Sequence, residues 1–229
     1  MIKTKVCIVG SNSDLINPLL QNLIKMNYDL ICITKKEWNL EFVTPKDEVI
    51  KKIKKFSPNQ LIYAAGLNMP LDIKEVNKKE IQDTIKKHLS VNCLSFLSLT
   101  IELLNDSKIS LTGIHVLSSL YGVYGRRTRL PYCISKHALE ASIKCLALEY
   151  PKTQILGYRP GFFDTKLTAK NISEETKNQL SERIPLKRFG SNHELSNIIF
   201  NNINNPNSYL TGTCITIDGG MTSGGFFET

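Results

Sequence analysis

Short apolar runs along the chain alternate with longer segments whose apolar residues recur every three or four positions. The short runs are rich in Val, Ile, Leu and Cys and are bounded by Gly, Pro, Asn and Asp, which is typical of buried strands. They predict strands over residues 5–10, 29–34, 60–65, 113–118, 154–158 and 213–217, with residues 37–40 as a candidate for a short seventh strand. Helical spacing predicts helices over residues 15–26, 45–56, 79–104, 135–149 and 193–203.

Strands that are separated by helices predict βαβ units and therefore a parallel sheet. We expect an α/β fold: a doubly wound parallel sheet of about seven strands with helices on both faces. No repeat or linker divides the chain, so residues 1–229 are expected to form a single domain. Ligands of such folds bind beyond the carboxyl ends of the strands. Polar, Gly and Pro residues cluster at those ends, at residues 10–14, 66, 118–119 and 160–161.

Composition and charge narrow the classes of function. No apolar run approaches the ~18 residues of a membrane span. The net charge of +8 comes mostly from scattered lysines without interleaved aromatic residues, which favours an anionic small ligand over nucleic acid. The four histidines lack metal-ligand spacing, so no metal is expected. Six scattered cysteines without a C-x-x-C pair predict reduced thiols and a cytoplasmic location.

Tyr132 and Lys136 lie four positions apart in a predicted helix, so their side chains share one face. An ammonium about 4 Å from a phenol is worth roughly 4 kcal/mol to the phenolate, which predicts a phenol pKa lowered by about 3 units. Such a phenol exchanges a proton with a carbonyl or alcohol oxygen while a hydride moves at carbon. Ser119, at the end of the preceding strand, can bind the same oxygen through its hydroxyl. By itself this spacing is common among surface pairs.

The order of these residues adds specificity, because Asn92 precedes Ser119 and the Tyr132–Lys136 pair follows. With the segments 91–92, 117–122, 132–136, 159–165, 184–190 and 210–220, the chain resembles the short-chain dehydrogenase/reductase family, which has a Rossmann-type fold, over essentially its whole length. The resemblance implies that Tyr132 is the acid/base and that Lys136 is its electrostatic, ribose-binding partner. It implies that Ser119 binds the reacting oxygen and that a helix distortion at Asn92 holds a proton-relay water.

The first glycine-rich turn departs from the family pattern T-G-x-x-x-G-x-G. Gly10 is present, but Asp14 and Ile16 stand where the second and third glycines would be. Ser11, Asn12 and Ser13 still offer donors to phosphate, whereas a carboxylate at Asp14 is unfavourable there unless it points away. Asp14 is also a candidate N-cap, and Ile16 is expected to hold the helix farther from the strand.

The resemblance places the nicotinamide carboxamide against backbone near Pro160, Gly161 and Phe163, with Thr165 close to it. The second strand ends at Thr34, whose side chain has no carboxylate, and Lys35 and Lys36 follow it. This pattern favours NADP(H) over NAD(H). The full set of expected cofactor-binding residues is Gly10, Ser11, Asn12, Ser13, Asp14, Leu15, Thr34, Lys35, Ala64, Ala65, Gly66, Tyr132, Lys136, Pro160, Gly161, Phe163 and Thr165.

Three arginines, Arg126, Arg127 and Arg129, precede Tyr132 in a predicted loop that flanks the cleft of this fold. With Ser119 they are candidate substrate-binding residues for an anionic molecule: a nucleotide-linked sugar, an acyl-carrier thioester or a carboxylate. The alternative places them in solvent or at a subunit interface. Residues 166–189 are expected to form a helical lid. The long helices over 79–104 and 135–149 are those that relatives use to form homodimers or homotetramers.

The sequence therefore predicts an NAD(P)(H)-dependent oxidoreductase that acts on a carbonyl or secondary alcohol of a small molecule. Two alternatives stay open. One is a sugar-nucleotide epimerase or dehydratase that uses the same tyrosine, since the short connection after the second strand resembles that branch of the superfamily. The other is a catalytically weak, dinucleotide-binding regulatory protein, because the glycine turn is incomplete.

Overall fold

The computed structural model describes residues 3–165, 172–205 and 209–224. Within them, six strands form one parallel sheet in the order β2-β1-β3-β4-β5-β6. The strands are β1 Lys5–Val9, β2 Asp29–Ile33, β3 Gln60–Tyr63, β4 Gly113–Leu117, β5 Gln154–Pro160 and β6 Thr213–Ile217. The strand order reverses at β1, which lies between β2 and β3, so the predicted doubly wound class is confirmed.

Helices cover both faces of the sheet. They are α1 Asn17–Lys25, α2 Asp47–Phe56, α3 Lys78–Leu89, α4 Ser95–Leu104, α5 Leu130–Glu149, α6 Glu174–Glu182 and α7 Asn192–Asn204. Alternate residues of β1 enter two separate cores: Cys7 and Val9 pack with residues of α2, α4 and α5, while Val6 and Ile8 pack with α1 and α7. Of the expected lid, residues 166–171 lie outside the described residues, and α6 occupies the middle of the remainder.

The candidate strand over residues 37–40 is wrong, which leaves six strands rather than seven in the described part of the chain. The segment is a turn, because the carbonyl of Thr34 accepts the backbone N–H groups of both Glu37 and Trp38 at 3.0 Å. The Glu37 carboxylate closes this turn by accepting the N–H of Thr34 at 3.0 Å. Trp38 is buried and donates its indole N–H to the carbonyl of Phe42 at 2.9 Å. Among the described residues, no strand therefore pairs with the outer side of edge strand β2.

The helical stretch predicted over 79–104 is divided by a π-helical segment, Ser90–Leu94, between α3 and α4. The wider turn releases the carbonyl of Val91 from regular α-helical pairing, and the hydroxyl of Tyr63, at the end of β3, donates to it at 2.9 Å. Single π-turns inside α-helices often mark functional positions. The helix distortion expected at Asn92 is therefore present, at the centre of this segment.

His115 lies fully buried in the middle of the sheet, on β4. Its Nδ1 lies 2.8 Å from the hydroxyl of Tyr158, and its Nε2 lies 3.1 Å from Oε1 of Gln60. Both ring nitrogens are thus hydrogen-bonded to neutral groups. Burial lowers the pKa of His115 from 6.5 to about 3.

We expect stability to fall as the pH falls below 6.5, since the unfolded chain then binds a proton at His115 that the folded chain rejects. The loss is about 1.4 kcal/mol per pH unit, or about 2 kcal/mol at pH 5. Urea unfolding of wild type and His115→Asn at pH 7 and pH 5 measures it. The variant should lose this part of the pH dependence, whereas His193→Asn, at an exposed site, should retain it. If the free energy of unfolding changed equally with pH in wild type and His115→Asn, the loss of stability could not be assigned to His115.

Candidate active site

A cavity of about 440 Å³ opens at the carboxyl ends of β1, β2 and β3. This is the point at which the strand order reverses, where ligands bind in doubly wound folds. The predicted cofactor residues that line it are Gly10, Asn12, Ser13, Asp14, Leu15, Thr34, Lys35, Ala64, Ala65, Gly66 and Thr165. Ser11 is buried beside them. Sequence reasoning did not assign Trp38, Asn39, Leu40, Glu41, Leu67 and Val91, which line the same cavity.

Gly10 forms the tight turn after β1 in a conformation that favours glycine, with φ at +80°. Its N–H donates to the carbonyl of Ile33 on β2 at 2.9 Å, and its carbonyl accepts the N–H of Ser13 at 3.0 Å. A Cβ at this position would lie 2.6 Å from the backbone nitrogen of Ala65. Gly10 therefore allows the turn to lie directly against the end of β3.

The two residues that replace the later glycines form a short 3₁₀ turn, Asp14–Ile16, which leads into α1. Ile16 is fully buried in the core on the α1 side of the sheet. Ser13, not Asp14, occupies the N-cap position, so the N-cap prediction for Asp14 is wrong. The carbonyl of Asp14 accepts the side-chain amide of Asn192 at 3.0 Å. The core and Asn192 of α7 therefore both hold the turn in place, while its expected weaker hold on phosphate stays a prediction.

The end of β2 carries a carboxylate that the sequence analysis did not use. Glu37 accepts from the Thr34 N–H and forms an ion pair with Lys52 at 2.6 Å. Its pKa is lowered, chiefly by the hydrogen bond from Lys52. The sequence signal that could have identified Glu37 is the Thr-x-x-Glu spacing from Thr34, which resembles a capping box outside a helix.

Tyr132 and Lys136 lie in the first turns of α5, which starts at Leu130 rather than at the predicted Ser135. Both side chains are buried, and Nζ of Lys136 lies 5.8 Å from the centroid of the Tyr132 ring. Nζ also donates to the carbonyl of Leu117, the last residue of β4, at 2.8 Å. The structure thus brings the pair to the carboxyl end of the sheet.

Asn92 ties the π-helical segment to the loop after β3 and to α5. Its Oδ1 accepts the N–H of Leu67 at 2.7 Å, and its Nδ2 donates to the carbonyl of Leu67 at 2.9 Å and to Oγ of Ser135 at 2.8 Å. A Cβ on Gly66 would lie 3.6 Å from Oδ1 of Asn92 and 3.8 Å from Nζ of Lys136. Gly66 lines the cavity, so these two side chains lie close to it, although Asn92, Ser119, Tyr132 and Lys136 are not among the residues that line it.

Ser119 lies next to Tyr132, at the N-cap of a 3₁₀ turn, Leu120–Gly122. Its Oγ accepts the N–H of Tyr121 at 3.3 Å, and a hydrogen bond between its hydroxyl and the phenol stabilises the phenolate. The rings of His88 and Tyr121 meet the Tyr132 ring edge-on, with centroids 6.5 and 6.2 Å away. The Tyr132 ring therefore contacts two aromatic rings and lies near Ser119.

The expected lowering of the Tyr132 pKa is wrong for the protein alone. Burial raises the pKa of Tyr132 to about 12 and outweighs the hydrogen bond from Ser119. Burial also lowers the pKa of Lys136 to about 8, although Glu140 opposes this shift. A phenol that stays protonated at neutral pH can donate a proton, which suits the reduction of a carbonyl.

Residues after β5 bring a further backbone segment to the same edge of the sheet. Gly161 donates its N–H to the carbonyl of Ile217 at 2.9 Å. A Cβ on Gly161 would lie 2.8 Å from the Cβ of Asp218. The Phe163 side chain is buried in the core, and its ring packs against Gly190. Only Thr165 of this segment lines the cavity. The contact of residues 160–163 with a carboxamide stays a prediction.

The three arginines before Tyr132 differ in their surroundings. Arg126 and Arg127 are exposed, and Arg126 packs on the ring of Tyr121 and donates to its hydroxyl. Arg129 is half-buried, and its Nη1 is buried without a hydrogen-bond partner in the described part of the chain. Burial and the nearby Arg126 lower the pKa of the Arg129 guanidinium. Tyr121 and Tyr132 act on this pKa in the opposite direction. Arg129 therefore lies close to the candidate acid.

In the residues that the structure describes, no helix is long and apolar enough to cross a membrane. No group of three or more His, Cys, Asp and Glu side chains could hold a metal ion there. All six cysteines are unpaired thiols.

Comparison with known proteins agrees with this geometry. The family model described as enoyl-(acyl carrier protein) reductase matches residues 50–222. The chain is 30% identical over 186 residues to the 3-oxoacyl-[acyl-carrier-protein] reductase FabG of Buchnera aphidicola subsp. Acyrthosiphon pisum, covering 80% of this chain and 74% of that protein. It is 37% identical over 107 residues to FabG of Aquifex aeolicus, a match that covers 46% of this chain and 43% of that protein.

A similar solved structure is that of a 4-hydroxyisoleucine dehydrogenase mutant complexed with NADH and succinate. It superposes with a TM-score of 0.86 at 22% identity, covering 96% of this chain and 99% of that one. This likeness supports the fold alone. Since the family model spans most of the chain, the chain belongs to the short-chain dehydrogenase/reductase family, whose members are NAD(P)-dependent oxidoreductases.

Proposed function

We propose that the chain transfers a hydride between NADP(H) or NAD(H) and a carbonyl or secondary alcohol, with Tyr132 as the acid/base. The observation that carries the proposal is the meeting of Asn92 and Lys136 beside Gly66, which lines the cavity. The residues present fit a dinucleotide, because Gly10, Asn12 and Ser13 line a concave turn at the strand ends. Asp14 is the one unfavourable group in that turn.

The dinucleotide supplies the hydride when it is bound, and this chain's residues do the rest. The hydroxyl of Ser119 holds the substrate oxygen beside the phenol of Tyr132, which donates its proton to that oxygen during reduction. Lys136, buried beneath the phenol, stabilises the tyrosinate that results. Asn92 holds the loop at Leu67 and, through Ser135, the first turn of α5, so that it positions both groups.

For the cofactor, we propose a preference for NADP(H). Thr34 carries no carboxylate, and Lys35 lines the cavity beside it. The nearby Glu37 carboxylate is engaged by Lys52 and by the Thr34 N–H. A neutral residue beside a cation suits a 2′-phosphate.

For the substrate, we propose a small anionic molecule whose charged group binds Arg129. A buried guanidinium nitrogen without a partner is costly, and an anion at that place would satisfy it. The candidates are those of the sequence analysis: a carboxylate, an acyl-carrier thioester or a nucleotide-linked sugar.

Replacing Arg129 with Gln should lower the preference for an anionic ketone over its neutral ester about 10- to 100-fold, as measured by the ratio of the two kcat/KM values. The reason is the loss of a charge-assisted hydrogen bond. Lys55→Gln removes an exposed cation at the end of α2 and should leave the ratio unchanged. An unchanged ratio in single variants of Arg126, Arg127 and Arg129 would contradict the proposal and favour the solvent or interface alternative.

Two measurements separate this function from its alternatives. Calorimetry with NADPH and NADH tests dinucleotide binding, and absorbance of the reduced nicotinamide with a panel of ketones tests turnover. Binding with turnover supports the reductase. A dinucleotide that copurifies and is not consumed supports a sugar-nucleotide epimerase or dehydratase, and no binding supports the regulatory alternative. A homodimer or homotetramer in the cytoplasm stays a prediction that size-exclusion chromatography and cell fractionation test.

A further inference from the structure

A buried carboxylate lies one helical turn beyond Lys136, on the same face of α5. Glu140 is almost fully buried, and Arg159 of β5 donates to both of its oxygens, from Nε at 2.8 Å and from Nη2 at 2.6 Å. Ser118 donates its hydroxyl to Oε1 at 2.7 Å. A buried ion pair of this geometry is strongly destabilised when one partner is lost.

The carboxylate connects three segments of the candidate active site. Ser118 lies between Leu117, whose carbonyl accepts from Lys136, and Ser119. A Cβ on Gly122 would lie 2.2 Å from Oε1 of Glu140, so the 3₁₀ turn that begins after Ser119 packs directly on the carboxylate. Arg159 lies directly before Pro160, where the segment expected at the nicotinamide begins.

The titratable groups that act on Lys136 come from three elements. Glu140 on α5 has the largest charge effect and raises the pKa of Lys136, against the lowering by burial; the thiols of Cys93 in the π-helical segment and of Cys214 on β6 act in the same direction. Arg159 and Cys214 face Glu140 from the sheet. Glu140 is thus the one carboxylate among the groups that act on Lys136 in the described residues.

We propose that Glu140 is a positioning residue, which serves as the counter-charge of Lys136 and as the anchor of the turn that carries Ser119. The proposal rests on the role proposed for Lys136, but its main test does not. In this arrangement the Glu140 carboxylate favours the charged form of Lys136. The same carboxylate accepts from Ser118, so that Ser119 stays next to the phenol. Arg159 binds both oxygens of the carboxylate and links it to β5.

The test is the titration of Lys136 in the protein without dinucleotide or substrate, followed by NMR of ¹³Cε-labelled lysine. The Lys136 signal is identified as the one that is absent from Lys136→Arg. In wild type its midpoint should lie near pH 8. In Glu140→Gln the midpoint should fall by about one to two pH units. Glu149→Gln, which removes the same charge from an exposed site on the same helix, should leave it unchanged.

Because Glu140→Gln leaves Arg159 unpaired, the double variant Glu140→Gln/Arg159→Gln is measured beside it. This variant leaves neither charge of the buried pair and should fold more readily. Its Lys136 midpoint should also fall. A midpoint at the wild-type value in the folded double variant would overturn the counter-charge role. Retained turnover in Tyr132→Phe would instead overturn the proposed function and leave this titration result standing.

Discussion

Replacing Tyr132 with phenylalanine is expected to lower kcat by a factor of about 10² to 10⁴, which is what a positioned general acid contributes. The ring would keep its packing against His88 and Tyr121, because only the hydroxyl is removed. Affinity for the dinucleotide should therefore change by less than about threefold, since the phenol contributes little to ground-state binding. Absorbance of the reduced nicotinamide gives kcat, and calorimetry gives the affinity.

A matched control lies at the C-cap of the same helix. Tyr150 lies directly after α5, and its hydroxyl donates to Asn105 at 2.9 Å, far from the cavity. Tyr150→Phe removes the same atom and should leave kcat unchanged. If Tyr132→Phe kept the turnover of wild type, the assignment of the acid would be wrong. If wild type itself failed to bind dinucleotide, the four residues would be a relic of an enzyme.

The raised pKa of Tyr132 predicts opposite pH dependences for the rates of reduction and oxidation. A phenol with a pKa of about 12 is protonated at neutral pH, so it is in the form that can donate a proton during reduction of a carbonyl. Oxidation of an alcohol requires the phenolate, and its rate should therefore increase with pH. Reduction should decrease once the pH passes about 8, where Lys136 loses its charge.

Sequence patterns predicted the strands because fully buried parallel strands are continuous apolar runs. Strand β1, for example, differs from its prediction by a single residue. The pattern failed at residues 37–40, where Trp38 and Leu40 alternate with polar residues as in a strand. There the Glu37 carboxylate binds the Thr34 backbone and stabilises a turn instead. Local side-chain hydrogen bonds of this kind compete with strand pairing and leave no trace in hydrophobic periodicity.

The order and spacing of the expected catalytic residues are specific enough to predict that they lie near one another, but they do not predict the electrostatics of these residues. The helical spacing of Tyr132 and Lys136 says that they are neighbours, and it says nothing about their depth. The pKa of Tyr132 is raised rather than lowered because His88, Tyr121 and the sheet bury the phenol. This burial is a property of the tertiary structure. Glu140 continued the same spacing by one more turn, yet its partner Arg159 is distant in sequence.

Replacing Gly10 with alanine is the second change with a large expected effect. The backbone of Gly10 has a φ of +80°, and an added Cβ would lie 2.6 to 2.8 Å from the backbone N and Cα and the Cβ of Ala65. Strain at a positive φ costs about 1–3 kcal/mol, and overpacking against neighbours costs a similar amount. We therefore expect the free energy of unfolding to fall by about 2–6 kcal/mol, as measured by urea denaturation.

Dinucleotide affinity should fall at least about tenfold in the same variant, because the turn must move away from Ala65 and widen the floor of the cavity. This effect is specific to the position. Gly125 has no atom within 4 Å of an added Cβ, so Gly125→Ala should leave both the unfolding free energy and the affinity for NADPH unchanged. Unaltered NADPH binding in Gly10→Ala would mean that the dinucleotide does not use the turn after β1. Since Gly10 is the only glycine of the family pattern that this turn retains, such a result would favour a ligand other than a dinucleotide in the cavity.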